Sequence, residues 1–256
     1  MAKTIGQLTQ ATTLDPSDEF VIEQSGLTKR VAASVVRGGL VNADVDAAAA
    51  IAFSKLAALD SANILVGNGS NVATKVAVTG DVTVSNTGVT TLARPLTLAT
   101  AQNTTSGTSI DFTGIPSWVK RITVMLNGVS TNGNDAKIIQ LGTSGGLQTT
   151  AYNGASTFIG LNAGNTQAGH ANFTSGIGVN FPNSANVMYG NVVITLQNGS
   201  DHTWTAHGVL SLSDAAYTGL VAGSKTLSAV LTQIRITTTG GTDTFDAGSV
   251  NIMYEG

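Results

Sequence analysis

The chain has 256 residues, of which 11% are charged and 5% aromatic, with 30 glycines, no cysteine and a formal net charge of −3. That size suits one large or two modest domains. The charge supplies no basic field for nucleic acid or anionic lipid, and the missing thiol excludes disulfides, thiolate metal sites and cysteine nucleophiles.

Low charge with abundant Thr, Val and Gly predicts β structure with many turns. The opening residues MAKTIGQLTQ hold no apolar core of signal-peptide length, so no secretory leader is expected. Residues 1–40 read as a β-hairpin followed by a short helix. Asp15-Pro16 opens a turn, Phe20, Val21 and Ile22 form an apolar strand, Ser25-Gly26 is a turn pair, and Leu27 begins the return strand. Ser34 is placed to cap a last helical turn that Gly38-Gly39 stops. Forty residues bury too little surface to stand alone, so this zone is expected to dock on something.

Residues 41–99 form a second zone. Asn42 or Asp44 caps an alanine-rich helix in which Ile51, Lys55 and Leu59 recur at helical spacing. Its apolar stripe is narrow, and a helix this short depends on packing for stability. The run VDAAAAIAFSKLAAL is broken by Lys55 and is too short to cross a bilayer as a helix, so no membrane insertion is expected. Beyond it, Val76 and Val78, then Val82 and Val84, alternate with polar or small residues, and GNGSN, TGD and SNTG punctuate them. Full burial of a valine is worth roughly 1.5 kcal/mol. Ordering the backbone costs about 1–2 kcal/mol per residue. A free segment of this kind cannot hold its shape. It either lies along the C-terminal domain as an edge ribbon or winds with identical copies, so that the valines face a shared axis. The small alternating residues and the preceding helix favour the second: an oligomeric stalk with Ile51, Leu59, Val76, Val78, Val82 and Val84 at its interface.

Residues 100–256 are richer in strands. Ile122, Val124 and Leu126 alternate, as do Val192, Ile194 and Leu196, Leu210 and Leu212, Ile234 and Ile236, and Val250, Ile252 and Tyr254. Turn pairs such as Asn-Gly and Gly-Gly bound these runs. The pattern predicts a mainly β fold, an antiparallel, jelly-roll-like sandwich. A Gly/Asn/Ser-rich insertion over residues 145–186 is long enough to be functional or to carry strands of its own.

Candidate chemistry is sparse. An offset of five along one strand would send His202 and His207 to opposite faces, and His170 stands alone. Asn132, Asn134 and Asp135 lack the spacing of a calcium loop and read as a turn. Glycan depolymerases need two carboxylates in one cleft. Asp201, Asp214, Asp243 and Asp246 qualify by type only, each in or near a predicted turn. No nucleophile elbow or phosphate loop occurs, so neither an enzyme nor a cofactor or metal is expected. Trp118 and Trp204 read as core. Tyr152 and Phe158, in the Asn-rich insertion, are the candidate receptor contacts, because exposed rings beside amides suit sugars.

Three segments carry a resemblance. IGQLTQATTLDPSDEFVIEQSGLTKRVAASVV looks like the N-terminal attachment segment of bacteriophage fibre proteins. IAFSKLAALDSANILVGNGSNVATKVAVTGDVTVSNTGVTTLA resembles the linker of phage tail-fibre and related virion proteins. IDFTGIPSWVKRITVMLNGVSTNGNDAKIIQLGTSGG resembles the opening of their distal β-sandwich. The resemblance implies a virion-attached homotrimer. Residues 1–40, with Phe20, Val21, Ile22 and Leu27, would attach to tail, collar or capsid proteins. Residues 41–99 would be the shaft. Residues 100–256 would be a knob that meets a host-surface glycan or protein. A head fibre or capsid decoration without a specific receptor stays open as the alternative.

Overall fold

The computed structural model describes residues 19–32, 45, 58–162, 165–179, 186–212 and 216–256. The chain divides into two units, Met1–Asp60 and Ser61–Gly256. In the first, β1 (Glu19–Gln24) and β2 (Leu27–Ala32) pair antiparallel. Ser25 and Gly26 both take positive φ (57° and 74°), the backbone a two-residue hairpin turn demands. Phe20, Val21 and Ile22 therefore lie on β1 and Leu27 opens β2, with the Leu27 side chain exposed. The helices expected near residues 34–39 and over 44–57 lie outside the described residues, apart from Val45, and so does Ile51.

The second unit begins with two separate hairpins. They are β3 (Asn63–Gly67) with β4 (Ala73–Ala77), and β5 (Val82–Val84) with β6 (Thr90–Leu92). Side chains tie their turns. Asn68 Oδ1 accepts the Ser70 and Val72 amides at 2.9 and 3.0 Å, and Ser85 Oγ accepts the Val89 amide at 3.1 Å. Asn and Ser dominate these loops because their short polar side chains bond nearby backbone.

The remaining strands build two antiparallel sheets. Two short strands, β7 (Thr97–Leu98) and β8 (Gln102–Asn103), come first, followed by β9 (Ser109–Thr113), β10 (Arg121–Thr131), β11 (Lys137–Thr143) and β12 (Gly146–Leu147). The predicted insertion supplies β13 (Asn153–Asn162), β14 (Asn165–Phe173) and β15 (Ile177–Val179). The chain ends with β16 (Met188–Asn198), β17 (Thr203–Leu212), β18 (Ala216–Thr226), β19 (Gln233–Thr238) and β20 (Phe245–Glu255). A nine-stranded sheet runs β14-β13-β18-β17-β16-β10-β20-β7, with β8 also on β20. A five-stranded sheet runs β12-β11-β19-β9, with β15 on β11.

One hydrophobic core joins these sheets. Ile122, Val124, Val192, Ile194 and Ile252 of the larger sheet and Leu141, Ile234 and Ile236 of the smaller are all buried in it. The alternation read from the sequence thus selects the inward face of each long strand, as a period of two requires. Tight crossing of β10 and β20 depends on glycine. Gly128 (φ 69°) and Gly248 (φ 90°) lie where the register slips between Asn127 and Ser130, and a Cβ on Gly248 would strike the Gly128 carbonyl.

Candidate interaction surface

The hairpins between Asn63 and Leu92 expose apolar side chains, the first on both faces and the second on one. Ile64 and Val76 sit opposite each other, 44% and 45% exposed; Leu65, on the other face beside Lys75, is 62% exposed. In the second hairpin Val82 opposes Leu92, 37% and 60% exposed. Val72, Val89 and Leu96 are exposed as well, and Leu59 precedes the hairpins with its side chain in solvent. Val78 and Val84 are half-buried. Neither hairpin pairs with the two large sheets, so the edge-ribbon arrangement is not what the fold adopts for residues 63–92. Pairing with the large sheet begins at β7, where Leu98 meets Met253. An isolated two-stranded hairpin is marginal in water, and among the described residues the chain leaves its valines and leucines largely uncovered.

The sugar-stacking role assigned to Tyr152 and Phe158 needs correction, because neither ring is exposed. Tyr152 is 2% exposed, and its hydroxyl accepts the Leu141 amide at 2.7 Å and donates to the Gln148 carbonyl at 2.8 Å. Burial pushes its pKa up to about 12, although the Leu141 hydrogen bond acts the other way. Lys225, whose Nζ donates to the Thr150 carbonyl at 3.0 Å, lies 5.3 Å from the centre of the Tyr152 ring. Phe158 points inward on β13 and meets Tyr217 edge-on at 5.6 Å. Trp204 is buried, and Trp118 packs on Tyr254 at 5.9 Å, as core readings require. Beside Tyr152 an open cleft of about 510 Å³ is rimmed by Asn153, Asn172 and Thr174.

Several charged groups in the larger unit are engaged with one another or with backbone. Arg235 grips Asp111 through two hydrogen bonds of 2.7 Å, which raises the guanidinium pKa further. Asp243 accepts the Asp135 amide at 2.9 Å, Asp135 accepts the Gly240 amide at 3.0 Å, and Asn132 accepts the Thr244 amide at 2.9 Å. These bonds make residues 130–137 the turn that their composition suggests. Lys137 is buried nearby, and desolvation lowers its pKa against the pull of Asp243, Asp246 and Asp135. Ser130 donates to Asp246, and Asp201 accepts the Thr203 amide at 3.0 Å. Asp214 lies outside the described residues. His202 precedes β17, while His207 lies on it with its side chain exposed. Among the described residues no three His, Cys, Asp or Glu side chains converge as metal ligands.

No known protein family, no curated protein and no solved structure matches the chain. The surface itself therefore carries the functional reading. Sequence reasoning found Val76 and Val82 but passed over Leu65, Val72, Val89, Leu92 and Leu96, which are more exposed. The available signal was a large aliphatic residue beside a turn with no second apolar run to cover it.

Proposed function

We propose that the chain is a non-enzymatic subunit of a homotrimeric bacteriophage fibre. Residues 1–40 attach it to other virion proteins of tail, collar or capsid. Residues 41–99, a short helix followed by the two hairpins, form a stalk in which three copies cover one another's apolar side chains. Residues 100–256 form a sandwich knob, built on a jelly-roll-like plan, that meets a glycan or protein of the host surface. The observation that carries this reading is the exposure of aliphatic side chains on both faces of the first hairpin and one face of the second. In a single copy, water meets about half of each such side chain; around a threefold axis, covering that half contributes about half of the roughly 1.5–3 kcal/mol that full burial is worth. The mainly β architecture and the three fibre-like sequence segments support the same assignment.

Adsorption would work through multiplicity. Three weak knob sites, repeated over several fibres, raise effective affinity without any new contact. The direct experiment incubates purified full-length chain with susceptible host cells and measures both its retention and its competition with phage adsorption. Saturable retention with competition is expected. Absence of both removes the adhesion role and leaves a head or collar decoration. Release of reducing ends from host polysaccharide would overturn the non-enzymatic assignment.

A further inference from the structure

The outward face of the nine-stranded sheet is almost free of charge. Register places successive residues across it in rows. One row runs Thr157, Leu220, Val209, Asn191, Met125 and Asn251, from β13 to β20. The neighbouring rows carry Ile159 and Leu161 on one side and Ala155, Ala222, Val193 and Met253 on the other. Ile159, Leu161, Val209 and Leu220 are each 54–60% exposed. Across this face the strand residues of β14, β13, β18, β17 and β16 present no Asp, Glu, Lys or Arg among the described residues. The formal charges of the face are gathered at one corner, where Arg121 pairs with Glu255.

An antiparallel sheet that faces water normally alternates apolar-in with polar or charged-out. Here the outward set is polar in large part, through Thr218, Ser211, His207 and Thr123 among others, but it carries almost no charge and is interrupted by the exposed aliphatic side chains of Ile159, Leu161, Val209 and Leu220. Seven strands about 4.8 Å apart, with side-chain rows about 6.8 Å apart, give a face of roughly 1,000 Å². A standard specific interface buries about 800 Å² per partner. A centre depleted of charge, with charge displaced to the rim, is also how such interfaces are composed. The missing charge decides which partner fits. Copies of an acidic chain repel through like charges, and a neutral face is the part that can meet its own kind at no electrostatic cost.

We infer that this face is a self-association surface, covered by a second copy of the chain. In a threefold assembly, one half of each face packs against the other half of the next, a head-to-tail contact that closes into a ring and buries about 500 Å² per partner at each seam, a small interface that adds to the one along residues 41–99. The inference rests on the homotrimer reading and extends it from residues 41–99 to the sandwich. It also removes this face from the surfaces free to meet a host.

The natural absence of cysteine makes the test direct. Leu220→Cys and Thr113→Cys are made separately in the full chain; Thr113 is an exposed position on β9 of the smaller sheet. Maleimide labelling is timed on the purified proteins, with sedimentation of the same samples. The expected result is a multimer in which the thiol at position 220 reacts at least tenfold more slowly than the thiol at position 113. A multimer in which both react at the same rate overturns this inference and leaves the hairpin-based trimer standing. A monomer overturns both.

Discussion

Replacing Tyr152 with phenylalanine removes one oxygen from a closed site and alters stability in a pH-dependent way. At neutral pH the variant leaves the Leu141 amide and the Gln148 carbonyl without the hydroxyl that serves both. An unsatisfied buried group costs about 1–3 kcal/mol. At high pH a second term enters. The folded chain holds the phenolic proton until about pH 12, whereas the unfolded chain releases it near the ordinary value of 10.0. Between those values the unfolded state binds fewer protons than the folded state, so stability falls as pH rises. Each unit of separation is worth about 1.4 kcal/mol, so the loss attributable to Tyr152 amounts to about 2 kcal/mol as pH approaches 12. The phenylalanine ring has no proton to lose. The Tyr152→Phe variant should therefore be less stable than the native chain at pH 7, and its deficit should shrink steadily above pH 10. Urea unfolding at a fixed protein concentration, followed by Trp118 and Trp204 fluorescence, measures both quantities. Subtracting the two pH profiles cancels the contributions of Lys137 and Lys225, which both proteins share. Profiles that stay parallel from pH 9 to 11.5 would refute the reasoning, because the hydroxyl would then titrate as an exposed phenol.

Three further outcomes are expected. Gly248→Ala should cost at least about 2 kcal/mol, read as a lowered thermal midpoint, since alanine would have to hold φ near 90° against the Gly128 carbonyl. Asp111→Ala should cost no more than about 1 kcal/mol, because the Arg235 and Asp111 side chains it separates are 35% and 39% exposed. The double variant Val78→Asp, Val84→Asp should leave the sandwich folded by circular dichroism while native mass spectrometry shows trimers lost, because charges would be forced together near the axis.

The parts of the fold that sequence reveals are those where one face of a strand is buried. Ile122, Val124 and Leu126 alternate with Thr123 and Met125, and the same phase places their side chains in the core. Ser25-Gly26 is legible because positive φ at consecutive positions admits few residue types. The insertion is harder. In NGASTFIGLN both faces carry apolar residues, Phe158 inward and Ile159 outward, so periodicity does not separate a strand from a loop. Its partner strand, NTQAGHANF, is held by pairing with β13, by the buried Phe173 ring and by the Tyr217 hydroxyl on Gln167, none of which its own alternation announces. Tyr152 misleads for a related reason. Its Asn- and Gly-rich neighbours suggest solvent, while its hydroxyl answers a backbone amide on β11, distant in the fold's layering but only 11 residues away in sequence. The stalk residues emerge through a deficit, too little apolar bulk for the length ordered. A deficit names the need for partners without marking which side chains meet them, so it points to Val78 and Val84 and misses the more exposed Leu65 and Leu92.

Sedimentation equilibrium of the full chain at micromolar concentration tests the central claim most directly. The account predicts one species of three times the 25.9 kDa subunit mass, with residues 61–98 resistant to protease in that species. A single 25.9 kDa species whose residues 61–98 resist protease equally well would contradict it.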